Sequence, residues 1–351
     1  MLLTIASFIV TIGIIVTIHE FGHFLAARLM GMRVKRFSIG FPPKMFSKKI
    51  GDTEFAISWI PLGGYVQIAG MVDESMDDEG ITGAPDEFMS KPPLARIFVL
   101  SAGVLMNYIT AFLMIAALTL AIGVGHVVDT TIGEVLPDMP AATAGIQAGD
   151  HITAVNGVAT PTWEKVVENV SAAGDSIALT VHRETGEDLT LLVPTKKMSE
   201  GGVDRRVIGI APKVETRPAG LGDAVGRGWT FCAGTTRAIG QFIAGLATGE
   251  SSVSQLSGPL GVAKLSGESA REGSGAFLFF IAYVSVSIAF LNILPFPALD
   301  GGHIMYVIIE AITRRPIPTR VKLWIQQVGM ALLLLLVLFV SYHDIVRMIA
   351  D

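Results

Sequence analysis

The chain has 351 residues, of which 51% are hydrophobic and only 16% charged, so it departs from the roughly 25% charged content of soluble domains and points to a membrane protein. A net charge of -5 gives no basis for nucleic-acid binding. A single cysteine, Cys232, excludes an intrachain disulfide and any cysteine-based metal cluster, and reads as a small apolar residue.

Apolar runs near 2–29, 94–124, 276–299 and 323–342 each supply the roughly 20 residues that cross a bilayer. The first has no basic residue before Arg28, and it is longer than the apolar core of a signal peptide, so a retained span is expected over 1–29. Within it, "HEFGH" sets His19 and His23 four residues apart, on one helix face. Two imidazoles so placed can share one Zn²⁺, with Glu20 beside them to act on a water without ligating. H-E-x-x-H is a zinc metalloprotease signature. The short pattern recurs by chance, but the setting adds weight. Charged side chains in a span cost about 2.5–3.5 kcal/mol each on insertion scales, so ionisable residues there are expected to be functional. A polar group serving a neighbouring helix explains one such residue, not three at metal spacing.

Residues 28–51 hold seven Lys and Arg and no acid, which sets the loop 30–93 in the cytoplasm and the N-terminus outside. "FAISWIPLGGYVQIAG" (55–70) alternates, is rich in β-formers and contains the turn pair Gly63-Gly64, so a β-hairpin is expected. The acidic stretch 73–87 reads as a solvated loop. A second span over 94–124 returns the chain to the outside.

Short β-type runs and turns over 126–215 predict a compact extracytoplasmic α+β domain. Thr162 is expected to cap a helix that stops near Gly174, and Gly186 to turn a hairpin. "VLPDMPAATAGIQAGDHITAVNG" (135–157) resembles a PDZ domain of the bacterial protease type, which implies peptide binding by strand addition. The Gly- and Ser-rich segment 216–274 reads as a linker, with 229–249 an amphipathic helix on the membrane surface and "LSGPLGVAKLSG" (256–266) a turn-rich element.

A catalytic zinc needs a third protein ligand and an open position. In the third span (275–303), "LNILPFPALDGGH" offers Asp300 as the best candidate and His303 as a second. Pro295 and Pro297 cannot continue a helix, and broken backbone at membrane depth is tolerated where it is buried in protein or lines a polar cavity. Asp300 reaches His19 and His23 only if the first and third spans run in the same direction, so 229–249 is expected not to cross. A cytoplasmic loop (304–322) and a fourth span (323–343) complete the chain, with both termini outside.

"HEFGH", the PDZ-like insert and "NILPFPALDGG" (292–302), in that order, resemble the site-2 protease family of intramembrane zinc metalloproteases, of the bacterial type that regulates a sigma factor. The likeness covers nearly the whole chain. It implies an α-helical polytopic membrane protein with four transmembrane helices, a membrane-associated β-hairpin and an inserted α+β PDZ-like domain. It implies His19, His23 and Asp300 as zinc ligands, Glu20 as general base, and Asn292 near the catalytic centre. It implies that the hairpin dips into the membrane and pairs with an extended substrate, which points to Gly40, Phe41, Gly63, Gly64 and Tyr65, with Pro295 and Pro297 beside them. The implied partners are the bilayer, a peptide at the PDZ-like domain, and single-span proteins already cut by an upstream protease, such as anti-sigma factors or signal-peptide remnants. The implied location is the cell (inner) membrane, with the site near the cytoplasmic side. Two positions depart from the family pattern: Pro42 replaces the second glycine of a Gly-Phe-Gly element, and Val104 replaces the proline of an Ala-Gly-Pro-x-x-Asn element. The rival classes are a metal transporter and a non-enzymatic PDZ-containing adaptor.

Overall fold

The computed structural model describes residues 1–71, 82–200, 203–252 and 256–350, so much of the expected acidic loop at 73–87 lies outside it. The chain divides into two compact units, residues 1–119 with 221–351, and residues 120–220.

The first unit opens with α1 (Leu2–Leu29), an uninterrupted apolar helix. It ends at Gly31, whose φ of 64° allows the Met32 N–H to close on the Ala27 carbonyl at 2.8 Å. Strands β1 (Val34–Ile50) and β2 (Thr53–Ile68) form an antiparallel hairpin that turns at Gly51-Asp52, whereas the expected turn pair Gly63-Gly64 lies within β2. Both strands bend. Residues 34–39 therefore pair with 64–68 on one side and with 54–57 on the other, leaving 64–68 as an edge. The hairpin exposes Phe46, Ile50, Ile57, Trp59 and Ile60. Its root packs with the end of α1 and the start of α2 (Pro93–Ile122) through Met32, Val34, Ile68, Phe88, Val99 and Leu100.

The second unit runs through β3 (Val124–Val135), α3 (Pro140–Thr143), β4 (His151–Val155), β5 (Val158–Ala159), α4 (Trp163–Ser171), β6 (Ser176–His182), β7 (Asp188–Pro194), β8 (Lys196–Glu200), β9 (Val203–Val207) and β10 (Ile210–Arg217). The main sheet has the order β10-β3-β4-β6-β7, with β5 paired to β4. Alternating Ile177, Leu179 and Val181 of β6 face the core, where Val166 and Val170, one turn apart on α4, cover them. Thr162 caps α4 by accepting from the Lys165 N–H at 3.5 Å, and Asn156 and Gly157 take φ of 52° and 77° in the β4–β5 turn. Asp150 is buried and pairs with Arg183 through Nε and Nη2, both at 2.8 Å. Arg183 thereby holds the Asp150 carboxyl below the usual carboxylate range.

The chain then re-enters the first unit, and here the structure corrects the expected linker. Residues 216–274 contain two helices, α5 (Leu221–Thr248) and α6 (Pro259–Glu272), both part of the first unit. Within α5, residues 229–248 pack along other helices of the first unit. Gly228, Cys232, Thr236 and Gly240 recur every four residues and form a small-residue stripe, which lets helices approach closely. Gly228 faces Phe112, Thr236 bonds the Tyr108 hydroxyl at 3.0 Å, and Gly240 faces Phe290. Cys232 is buried in the same apolar cluster, as its reading as a small apolar residue requires.

The expected turn-rich stretch 256–266 is also largely helical. Pro259 sits in the first turn of α6, where it fits, and the Asp344 carboxylate accepts from the N–H groups of Gly258 and Gly261 at 3.2 and 2.8 Å. Ser266 and Gly267 then meet Thr11 and Thr4 of α1.

The third apolar run is helical only over α7 (Ser274–Ile293) and unwinds before α8 (Asp300–Thr313), so much of the expected loop 304–322 is helix. The last helix, α9 (Thr319–Ala350), is longer than the expected span 323–343. Among the described residues, α1, α2, α7 and residues 319–347 of α9 are long and apolar enough to cross a membrane.

Candidate metal centre

On α1, His19 and His23 lie one turn apart, with their Nε2 atoms 3.1 Å from each other. Asp300 Oδ2 approaches them at 3.0 and 3.4 Å. Both imidazoles are buried, at 7% and 6% exposure. The buried Asp300 Oδ2 finds no well-formed hydrogen bond. Three donors thus converge on one point. Tetrahedral zinc with arms of about 2.0–2.1 Å sets its donors about 3.3 Å apart. The observed separations fit that cation, and two nitrogens with one carboxylate suit its chemistry.

Glycines make room for this arrangement. A Cβ on Gly22 would strike the Ala102 carbonyl carbon at 2.8 Å, so α1 and α2 cross in near-backbone contact there. That crossing lays Gly103 against the imidazoles, and a Cβ on it would strike His23 Nε2 and, at 2.8 Å, His19 Nε2. Four residues earlier on α2, the Val99 carbonyl accepts from His23 Nδ1 at 2.8 Å. This turns the Nε2 lone pair toward the site. Asn107, four residues beyond Gly103, lies 3.4 Å from His19 Nδ1.

Asp300 arrives through the unwound stretch. The Phe296 N–H closes on the Leu294 carbonyl at 2.7 Å, and Ala298 takes a left-handed φ of 77°. The first turn of α8 folds back onto this stretch. A Cβ on Gly301 would strike the Ile293 and Leu294 carbonyls, and one on Gly302 the Phe296 carbonyl, so the two positions after Asp300 have room only for glycine. His303 is outside the donor group, and its ring meets Tyr306 edge-on at 5.9 Å.

Glu20 is half-buried on the next helical position. Gly64 of the edge strand passes beside it, where a Cβ would lie 3.7 Å from Glu20 Cγ. Tyr65 Oη accepts from Arg36 at 3.2 Å, Gly63 faces the Phe41 ring, and Gly40 (φ 88°) faces the Ser58 and Ile60 carbonyls. Lys44 and Arg36, bonded at 2.7 and 2.8 Å, hold the Glu54 carboxyl of this hairpin down to about 2. Asn292 is half-buried, one residue before the end of α7. Pro295 is exposed, whereas Pro297 packs against Gly329 of α9, a helix-packing contact. Sequence reasoning missed Val99, Gly103 and Asn107 as parts of the centre. Gly103 and Asn107 fall in "SAGVLMN" (101–107), noted only for its departure at Val104, whereas Val99 acts through its backbone carbonyl.

The model of peptidase family M50 matches residues 7–336. A protein named as a zinc metalloprotease in Nostoc sp. (strain PCC 7120) is 33% identical over 97% of this chain and 96% of its own length. One from Rickettsia conorii is 33% identical over 98% and 99% of the two chains. One from Clostridium perfringens is 32% identical over 95% of each. With a family model spanning nearly the whole chain and end-to-end relatives of this kind, the chain belongs to peptidase family M50 and is a zinc-dependent peptidase.

Proposed function

We propose that the chain cleaves membrane-spanning segments of single-span proteins, with zinc held by His19, His23 and Asp300. The convergence of these three donors, from two helices of which one is a candidate span, carries the reading. When bound, zinc acts as a Lewis acid, polarising a carbonyl and lowering the pKa of water to about 7. The Glu20 carboxylate takes a proton from the attacking water and returns it to the leaving amine nitrogen. Asn292 assists near the reacting carbonyl.

A helical substrate hides its peptide bonds in i to i−4 hydrogen bonds, so it must unwind before cleavage. Residues 64–68 offer an unpaired strand edge beside Glu20 to hold the extended form, with Gly40, Phe41, Gly63, Gly64 and Tyr65 shaping it. The exposed apolar residues of the hairpin favour its insertion into the bilayer. The 126–215 unit, read as a PDZ-like domain, engages peptides or excludes bulky proteins. Substrates are then proteins already shortened by an upstream protease, such as anti-sigma factors, or signal-peptide remnants. The enzyme resides in the cell (inner) membrane, with both termini outside and the site toward the cytoplasm.

The test is Glu20→Gln in proteoliposomes with a single-span substrate. Zinc content stays at one per chain and cleavage falls at least 100-fold. Undiminished cleavage, or zinc flux without proteolysis in the wild type, overturns the reading.

A further inference from the structure

Asn107 has no exposed surface, yet its side chain lies beside the metal centre. Its carboxamide nitrogen is 3.4 Å from His19 Nδ1, and its Oδ1 has no hydrogen-bond partner. For His19 Nε2 to offer a lone pair to a metal, the neutral ring must carry its proton on Nδ1. An N–H facing an N–H is repulsive. The two ends of a carboxamide have nearly the same shape, so the network assigns them. The assignment that satisfies both groups turns Oδ1 toward His19, where it accepts the Nδ1 proton.

We propose that Asn107 is a positioning residue for zinc, holding His19 in the ligating tautomer and orientation through Oδ1. The inference rests on the zinc reading of His19, His23 and Asp300. The neighbouring helix face supports it. Val99, Gly103 and Asn107 recur every four residues on α2 and present, in turn, an acceptor for His23, room for both rings and an acceptor for His19. Each imidazole then has its own oxygen partner on the same helix, the arrangement that fixes tautomer and ring direction in metal sites. Ser285 of α7 donates to the Asn107 backbone carbonyl at 3.0 Å, which anchors this turn of α2 to a second helix.

The experiment measures zinc affinity by competition with a chromophoric chelator, on the full chain in detergent, with the thermal midpoint of the zinc-free protein alongside. Asn107→Leu keeps the branching and heavy-atom count of the side chain and removes the acceptor, and zinc affinity falls about 10–100-fold. Asn107→Asp restores an acceptor and keeps affinity within about threefold of wild type, and the zinc-free midpoint does not order the variants by affinity. Equal affinity in Asn107→Leu and wild type overturns the inference, as does an equal loss in Asn107→Leu and Asn107→Asp. His19→Ala separates the two levels. If it loses zinc while Asn107→Leu keeps it, only the role of Asn107 falls. If it binds zinc like wild type, the ligand reading falls and the inference with it.

Discussion

Gly103 acts through the atoms it lacks. Its bare Cα abuts both imidazoles, and a methyl group there would displace His23 Nε2. Alanine is favoured over glycine within helices by about 1 kcal/mol. Gly103→Ala should therefore lower zinc content and cleavage at least tenfold while leaving the zinc-free thermal midpoint unchanged or higher, measured by metal analysis and melting in detergent. A midpoint that falls in step with zinc content would mean helix packing, not the centre, needs this glycine. His19, Glu20, His23 and Asp300 were legible in the sequence because their chemistry is carried by side-chain type and spacing. Val99 contributes a backbone carbonyl, and Gly103 contributes space. Neither has a side-chain signature, so only the crossing of α1 and α2 reveals them.

At the level of elements, length and hydropathy made the long helices legible, and a helix at 229–249 was expected, but the packing of α5 on its neighbours was not. Its contact stripe is Gly228, Cys232, Thr236 and Gly240, small residues of which three score as polar or neutral though they pack closely. Arg237 and Gln241 beside them made the segment read as a surface helix. In lipid, small residues are what a helix interface selects.

A second feature invisible to hydropathy joins α2, α8 and α9. Glu310 accepts from Arg96 at 3.0 Å and from Lys322 at 2.6 Å, with the side chains of all three at most 12% exposed. Glu310→Gln leaves two buried cations without their anion, a loss of about 3–5 kcal/mol for a broken buried pair. The expected result is a clear drop in thermal midpoint, whereas a Glu310→Gln, Arg96→Met double variant recovers part of it. An unchanged midpoint in the single variant would show that the cluster adds nothing to stability.

Over the whole molecule, the two units answer to different conditions. In the second unit Asp150 has its proton affinity lowered by Arg183. The unfolded chain, with an ordinary carboxylate pKa of about 3.9, binds the proton more readily, so this pair stabilises the fold above that value and stops doing so as pH falls through the lower folded value. Protease cutting within 120–220 should thus be faster in Asp150→Asn than in wild type at pH 7. The two should converge at a pH below the ordinary carboxylate range, and a gap that persists there would assign the effect to packing.

In the first unit, Asp300 meets His19 and His23, as the expected common direction of the first and third apolar runs requires. Thr4, near the start of α1, and Asp344, near the end of α9, both bind α6. This is a consequence for anyone labelling the protein. Thr4 and Asp344 are thus moored to one 14-residue helix, about 21 Å long at 1.5 Å per residue. His19 lies 15 residues, or about 22 Å, farther along α1 than Thr4. Fluorophores attached next to Thr4 and Asp344 would sit within energy-transfer range of each other and away from the imidazoles, so these positions serve as paired handles on the fold that leave the metal centre untouched.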